Sequence, residues 1–230
     1  MTVADPAVFC SFFPGLKELG ELYRDMDREI ERFKKAAALD CPEFCKKCCA
    51  ATEERIEVSV FECLPLSIHL WGRGEAESIL ARIAAGDEKS LCVLRNPADS
   101  FAPAWGCALY AWRPLLCRLF GFSAVLDKRG HPRIALCRAI KDADPGAESR
   151  AAQKIASGLK PVVLPHWAER ISSLNPHLGR KRYPINQALR LALEKVGLRA
   201  CLLREEGGRE RQADKFKENT AEKRFYRGQR

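Results

Sequence analysis

No stretch of the 230-residue chain approaches the roughly 20 consecutive apolar residues of a membrane-spanning helix. Met1 to Gly15 carries no Lys or Arg ahead of its short apolar patch. That argues against a secretory leader and makes the cytoplasm the expected compartment. The chain has no internal repeat, no low-complexity tract and no glycine-rich nucleotide loop after a strand. Only four histidines are present. His69 lies in an apolar helical stretch, His131 beside a turn, and His166 and His177 next to Trp167 or proline, all in structural settings. No Ser–His–Asp set and no paired-carboxylate arrangement emerges from the spacing, so no catalytic residue is assigned.

Eleven cysteines stand out against this background. Their odd number, in a chain without a secretion signal, fits poorly with a framework of disulfides. In a reducing compartment clustered thiols read as metal ligands or redox groups. Apolar residues make up 47% and charged residues 30%, a balance that suits one soluble folded domain with appendages. The net charge of +9 is unevenly placed. Residues 1–159 balance 22 basic against 22 acidic side chains, whereas residues 160–203 carry eight against two. A basic segment of this kind attracts an unknown protein or polyanionic partner, or else forms a solvated helix face; nucleic acid is the less favoured partner.

The spacing predicts a mainly α fold with a small β-hairpin, a compact helical domain organised around a cysteine-rich metal site. Leu16, Leu19, Leu22, Tyr23, Met26, Ile30, Phe33 and Ala37 form a stripe at three- and four-residue steps, so residues 1–40 hold a long amphipathic helix. Ser59 and Glu62 have capping-box spacing ahead of a second helix. A third runs from Glu75 to Ala85, and residues 90–104 are irregular. Pro114 opens a short helical turn. Residues 122–127 and 133–136 read as a hairpin across Lys128-Arg129-Gly130. Residues 141–203 supply helices near 146–157, 165–174 and 185–196, and residues 204–230 read as a basic, disordered tail.

Within the 41–140 core, four cysteines fall in nine residues: Cys41, Cys45, Cys48 and Cys49. Steps of two or three residues let one loop wrap sulfurs around a metal, as zinc and iron–sulfur sites require. Neighbouring side chains diverge, so Cys48 and Cys49 are expected to serve different purposes. Cys92, Cys107, Cys117 and Cys137 sit near turns or helix ends and could complete the ligand set. Cys10, Cys63 and Cys201 fit simple packing.

The string Cys41-x3-Cys45-x2-Cys48-Cys49, then Ile56-Glu57-Val58-Ser59 with Glu62, resembles the opening of the YkgJ-like cysteine-cluster proteins. The likeness continues at Cys92-Val93-Leu94 and through Gly106-Cys107-Ala108-Leu109-Tyr110-Ala111-Trp112-Arg113-Pro114-Leu115-Leu116-Cys117-Arg118, and Cys137 follows the hairpin. It departs where Arg138-Ala139 replaces a common Pro-Leu, and in the long insert between Cys92 and Cys107. The resemblance implies a zinc- or iron-chelating domain in which all eight of these cysteines are ligand candidates. It does not choose between Zn2+ and an iron–sulfur cluster. Arg113 and Arg118, beside Cys117, would then offset the negative charge of the centre, a role open also to Lys46 and Lys47.

Two enzyme readings follow from resemblance. The C-x3-C-x2-C spacing is similar to the cluster loop of radical S-adenosylmethionine enzymes, but the chain lacks the alternating strands and helices of a barrel. Flagellin lysine N-methylase belongs to the same broad cysteine-cluster group, which implies an iron–sulfur-dependent, S-adenosylmethionine-using protein lysine methyltransferase as an alternative. A zinc-stabilised nucleic-acid-binding module working through residues 160–230 is a third reading.

Overall fold

The structure, a computed structural model, describes residues 6–43, 45–50, 53–86, 91–96 and 106–203. The expected tail at 204–230 and most of the expected irregular stretch at 90–104 lie outside the described residues. The chain is mainly helical, with a few short strands, as its hydrophobic spacing predicts.

α1 (Pro6–Phe12) leads into α2 (Leu16–Ala37), whose eight stripe residues are all buried. Burial of each large apolar side chain among them contributes about 1.5–3 kcal/mol, so α2 forms the axis on which several later helices pack. The helix ends at Ala38, a non-glycine residue in left-handed conformation (φ 50°). The Leu39 N–H then bonds back to Lys34 O at 2.9 Å, which turns the chain straight into the first cysteine loop.

β1 (Glu57–Ser59) runs directly into α3 (Val60–Arg73). The capping box forms as the sequence predicts: the Glu62 N–H bonds to Ser59 Oγ and the Ser59 N–H to the Glu62 carboxylate. Gly74, left-handed, closes α3 ahead of α4 (Ala76–Ala84). α5 (Leu115–Leu119) follows Pro114. The hairpin is β2 (Ser123–Leu126) with β3 (Pro132–Ala135), antiparallel, with Asp127 Oδ1 accepting the Arg129 and His131 N–H groups in the turn. α6 (Arg138–Ala143) and α7 (Ala147–Ala156) come next.

Two pairings are absent from the sequence reading. β4 (Val162–Val163) joins β2 in parallel, extending the hairpin to a three-stranded sheet ahead of α8 (Leu164–Leu174). After α9 (Pro176–Gly179), β5 (Arg182–Pro184) pairs antiparallel with β1. Among the described residues the last helix, α10, takes in residues 185–203 and so continues past the expected end at 196. Gly197 lets α10 dock closely on α3, since a Cβ there would sit 2.5 Å from the Trp71 ring. Trp71 Nε1–H donates to Leu193 O at 2.9 Å across the same contact. All but a few of the buried apolar residues form one cluster from Phe9 to Ala200.

Among the described residues no helix is long and apolar enough to cross a membrane. The basic side chains of 160–203 are largely engaged within the fold. Arg170 lies over Trp167, Lys181 over Tyr183 and Arg199 over Phe12, while Arg182 reaches Glu62 and Arg190 reaches Glu194.

Candidate metal centre

The first cysteine loop is wound tightly by its own backbone. The Cys45 N–H bonds to Pro42 O at 3.0 Å, and the Cys49 N–H bonds to Lys46 O at 3.1 Å within a 3-10 turn over Lys47–Ala50. The sulfurs of Cys48 and Cys49 lie 3.9 Å apart. The expected divergence of these neighbours is therefore incorrect: their sulfurs approach each other and both residues line one cavity.

Three further segments close that cavity. Residues 91–96 and 106–108 pair through an isolated antiparallel bridge, Arg95 with Cys107, reinforced by Asn96 N–H to Gly106 O and Ala108 N–H to Leu94 O, both 2.9 Å. Asn186, buried on α10, grips the Cys92 turn: its Oδ1 accepts the Val93 N–H at 2.9 Å and its Nδ2–H donates to Leu91 O at 3.1 Å. Arg82 of α4 donates to Val93 O at 2.6 Å. Finally, α5 carries Cys117 to the wall. Seven of the eight candidate cysteines, Cys41, Cys45, Cys48, Cys49, Cys92, Cys107 and Cys117, thus line a cavity of about 310 Å³.

Cys137 does not line it. At the N-cap of α6 its thiol sits against Gly121 and close enough to Cys41 to act on that thiol electrostatically. The sulfurs fall into two neighbourhoods. Cys41 is acted on by Cys45, Cys137 and Cys48, whereas Cys117 is acted on by Cys92, Cys107 and Cys48. Cys48 belongs to both.

Burial, then the neighbouring Cys45, pushes the Cys41 thiol up to about 12. Burial likewise pushes Cys107 and Cys117 up. Cys48 is the exception, lowered to about 6 by the hydrogen bond it accepts from the Cys49 thiol and by the Arg113 guanidinium. Cys49, holding that proton, is raised. Bringing so many thiols together without a cation keeps most of them protonated, and a bound cation reverses that preference.

The two arginines beside Cys117 divide the labour. Arg113 lines the cavity, stacks 3.3 Å from the Tyr110 ring centroid, and donates to Tyr110 O at 2.9 Å and Cys117 O at 3.1 Å. Arg118 is buried and is not among the cavity residues. It donates to Arg113 O and to Asp27 of α2, both at 2.6 Å, and to Ala111 O, so it fastens the loop to the helix. Lys47 reaches Asp142 at 3.8 Å on the exposed surface.

Of the cysteines expected to pack, Cys63 is buried and Cys10 is half-buried against the core. Cys201 is instead exposed on α10, which corrects its expected packing: the helix runs on through 203 and turns it to solvent. His69 stacks on Trp112 with ring centroids 4.5 Å apart.

Four residues of the site escape the sequence reading. Gly106 is required by close approach, because a Cβ there would lie 3.0 Å from Cys49 Sγ and 3.2 Å from Lys46 Cα. Its signal was adjacency to Cys107. Asn186 gave no local signal, since its partners lie more than 90 residues away. Arg55 and Arg95 look like ordinary surface charge in sequence, yet both line the cavity.

The donors are chemically uniform, all thiols, and suit zinc or iron–sulfur chemistry. A single tetrahedral zinc with Zn–S near 2.3 Å needs sulfurs about 3.8 Å apart. Among the described residues no three His, Cys, Asp or Glu groups gather closely enough to hold one metal ion. Comparison with family models, with curated proteins and with solved structures finds no match for this chain.

Proposed function

We propose that the protein binds a thiolate-ligated metal centre in this cavity, an iron–sulfur cluster in preference to zinc. The observation that carries the reading is the arrival of seven cysteines, from four separate stretches of chain, at one cavity of about 310 Å³. Cysteines kept only as small apolar packing residues have no reason to share a wall. The resemblance of 41–140 to the YkgJ-like proteins supports the same reading.

Cys41, Cys45, Cys48, Cys49, Cys92, Cys107 and Cys117 would supply the ligands, with Cys137 adjoining Cys41. An iron–sulfur cluster held there supplies one-electron redox capacity or an open iron as a Lewis acid. Arg113 offsets its negative charge, and Trp112, Phe122 and Leu116 supply the apolar part of the wall beside it. The test is anaerobic purification, followed by quantification of iron, zinc and acid-labile sulfide with a visible absorption spectrum. Iron with matching sulfide is expected. Zinc alone, or protein with neither metal after reconstitution, overturns the reading.

A further inference from the structure

Cys48 and Cys49 are neighbours both in sequence and in space, with their sulfurs 3.9 Å apart. The peptide joining them lies in the 3-10 turn over Lys47–Ala50, which the Cys49 N–H bond to Lys46 O holds at 3.1 Å. Backbone stands behind the pair. A Cβ on Gly106 would lie 3.0 Å from Cys49 Sγ and 3.2 Å from Cys49 Cβ, so the Cys49 side chain has little room to swing away from its neighbour. Cys48 is exposed, whereas the other cysteines of the cavity wall are half-buried. A small solute therefore meets Cys48 before the rest. Cys41 and Cys45 also share a thiol hydrogen bond, but both belong to the half-buried set. Closing the Cys48–Cys49 gap to the roughly 2.05 Å of a disulfide takes a movement of about 2 Å, shared between two side chains.

We propose that Cys48 and Cys49 close into a reversible vicinal disulfide when peroxide reaches the metal-free cavity, and that this bond and the metal centre exclude each other. The exclusion rests on reading both residues as ligands, while the bond itself rests on the geometry of the turn. The Cys48 sulfur attacks one peroxide oxygen and the O–O bond breaks. The departing hydroxide takes the Cys48 proton as water, which leaves a sulfenic acid on Cys48. The Cys49 sulfur then attacks the Cys48 sulfur: the S–S bond forms, the S–O bond breaks, and the hydroxyl leaves with the Cys49 proton as a second water. Two electrons pass from the thiol pair to the peroxide. In the product the two Cα atoms are about 3.8 Å apart, below the roughly 4.4–6.8 Å usual for a disulfide, so the bond is strained and another thiol reopens it readily. While closed it removes two sulfurs from the donor set. Bound metal, in turn, holds both as thiolates and keeps the ring from closing.

The sequence makes the bond easy to read. Trypsin cleaves after Lys35, Lys46, Lys47 and Arg55, so Cys48 and Cys49 fall together in peptide 48–55, and Cys41 with Cys45 in peptide 36–46. The experiment treats the full chain, both as purified anaerobically and after chelation, with one equivalent of hydrogen peroxide. Free thiols are then blocked with iodoacetamide in denaturant, and the tryptic peptides are weighed without reduction. From chelated protein, peptide 48–55 emerges unalkylated and lighter by two hydrogens than the dithiol. From metal-loaded protein it emerges with both thiols alkylated. Glutathione restores the dithiol. Until then the oxidised protein takes up at least about tenfold less iron or zinc, because losing even a group that orients a ligand costs about 10–100-fold in metal affinity. Cys49→Ser abolishes the lighter peptide and leaves a sulfenic acid on Cys48 that dimedone captures. A doubly alkylated 48–55 peptide from chelated, peroxide-treated protein overturns the proposal, as does a disulfide confined to peptide 36–46. Full metal uptake by the oxidised protein, or equally fast ring closure in metal-loaded protein, overturns the exclusion and leaves the metal centre standing. Ring closure in a protein that binds neither iron nor zinc does the reverse, removing the metal centre and keeping the bond.

Discussion

Glu62 Oε1 accepts the backbone N–H of Leu115 at 3.1 Å, joining the first turn of α3 to the first turn of α5. Its other oxygen accepts the Ser59 N–H at 2.8 Å, the Ser59 hydroxyl at 2.7 Å and an Arg182 N–H at 3.2 Å. One carboxylate, 1% exposed, therefore caps two helices, and the second of them carries Cys117. Glu62→Ala leaves these donors without an acceptor and lowers stability by about 3 kcal/mol. Glu62→Gln, which keeps one carbonyl oxygen, costs less. Denaturant titration of the two variants checks the order, and alkylation of Cys117 speeds up in the alanine variant first.

Gly106 packs directly against the first cysteine loop. An alanine methyl there meets Cys49 Sγ at 3.0 Å and the Lys46 backbone at 3.2 Å. The backbone has no rotamer to give, so Gly106→Ala pries the two cysteine-bearing segments apart at a cost of about 1–3 kcal/mol. Melting temperature and bound metal fall together. A fully loaded, equally stable variant would show that the two segments do not need this contact.

Replacing Cys45 or Cys117 by serine lowers both metal content and melting temperature, because a metal that gathers separate segments also contributes to folding. Cys201→Ser, on the exposed face of α10, changes neither. Metal and sulfide analysis across the three variants separates ligands from bystanders. Unchanged stoichiometry in both Cys45→Ser and Cys117→Ser would count decisively against the proposed centre.

Tyr23 supplies a pH dependence away from the cavity. Its hydroxyl is buried without a hydrogen-bond partner among the described residues, and burial, then Glu62, raises its pKa well above 10. In the unfolded chain the phenol ionises near its ordinary value of about 10. Above that pH the unfolded state binds fewer protons than the folded state, so stability falls as pH rises. Tyr23→Phe removes this share of the alkaline loss and flattens the slope of melting temperature between about pH 9 and about pH 11. Buried Cys63, whose thiol is also raised, leaves a residual slope of the same sign. At neutral pH the variant gains about 1 kcal/mol by losing an unmatched hydroxyl.

Local features of this fold were legible in sequence because they are governed by local rules. The α2 stripe, the Ser59–Glu62 box and the hairpin are each set within one turn or one short loop at a time. β4 and β5 were not legible. Strands of two and three residues carry no usable alternation, and their partners lie far away, as in Ser123 with Val162 and Ser59 with Arg182. The cavity follows the same division. Cysteine spacing marked the thiols, while the buried Nε of Arg95 and the grip of Asn186 depend on contacts between distant segments.

That grip bears on how the molecule can be dissected. The turn holding Cys92 is clamped by Asn186 from α10 and by Arg82 from α4, in addition to its own backbone bonds. A fragment cut to 41–140 would keep all seven cavity cysteines in its sequence and still lose Asn186, the clasp that seats one of them. The smallest piece worth expressing is therefore defined by a side chain near the far end of the polypeptide, not by the span of the thiols.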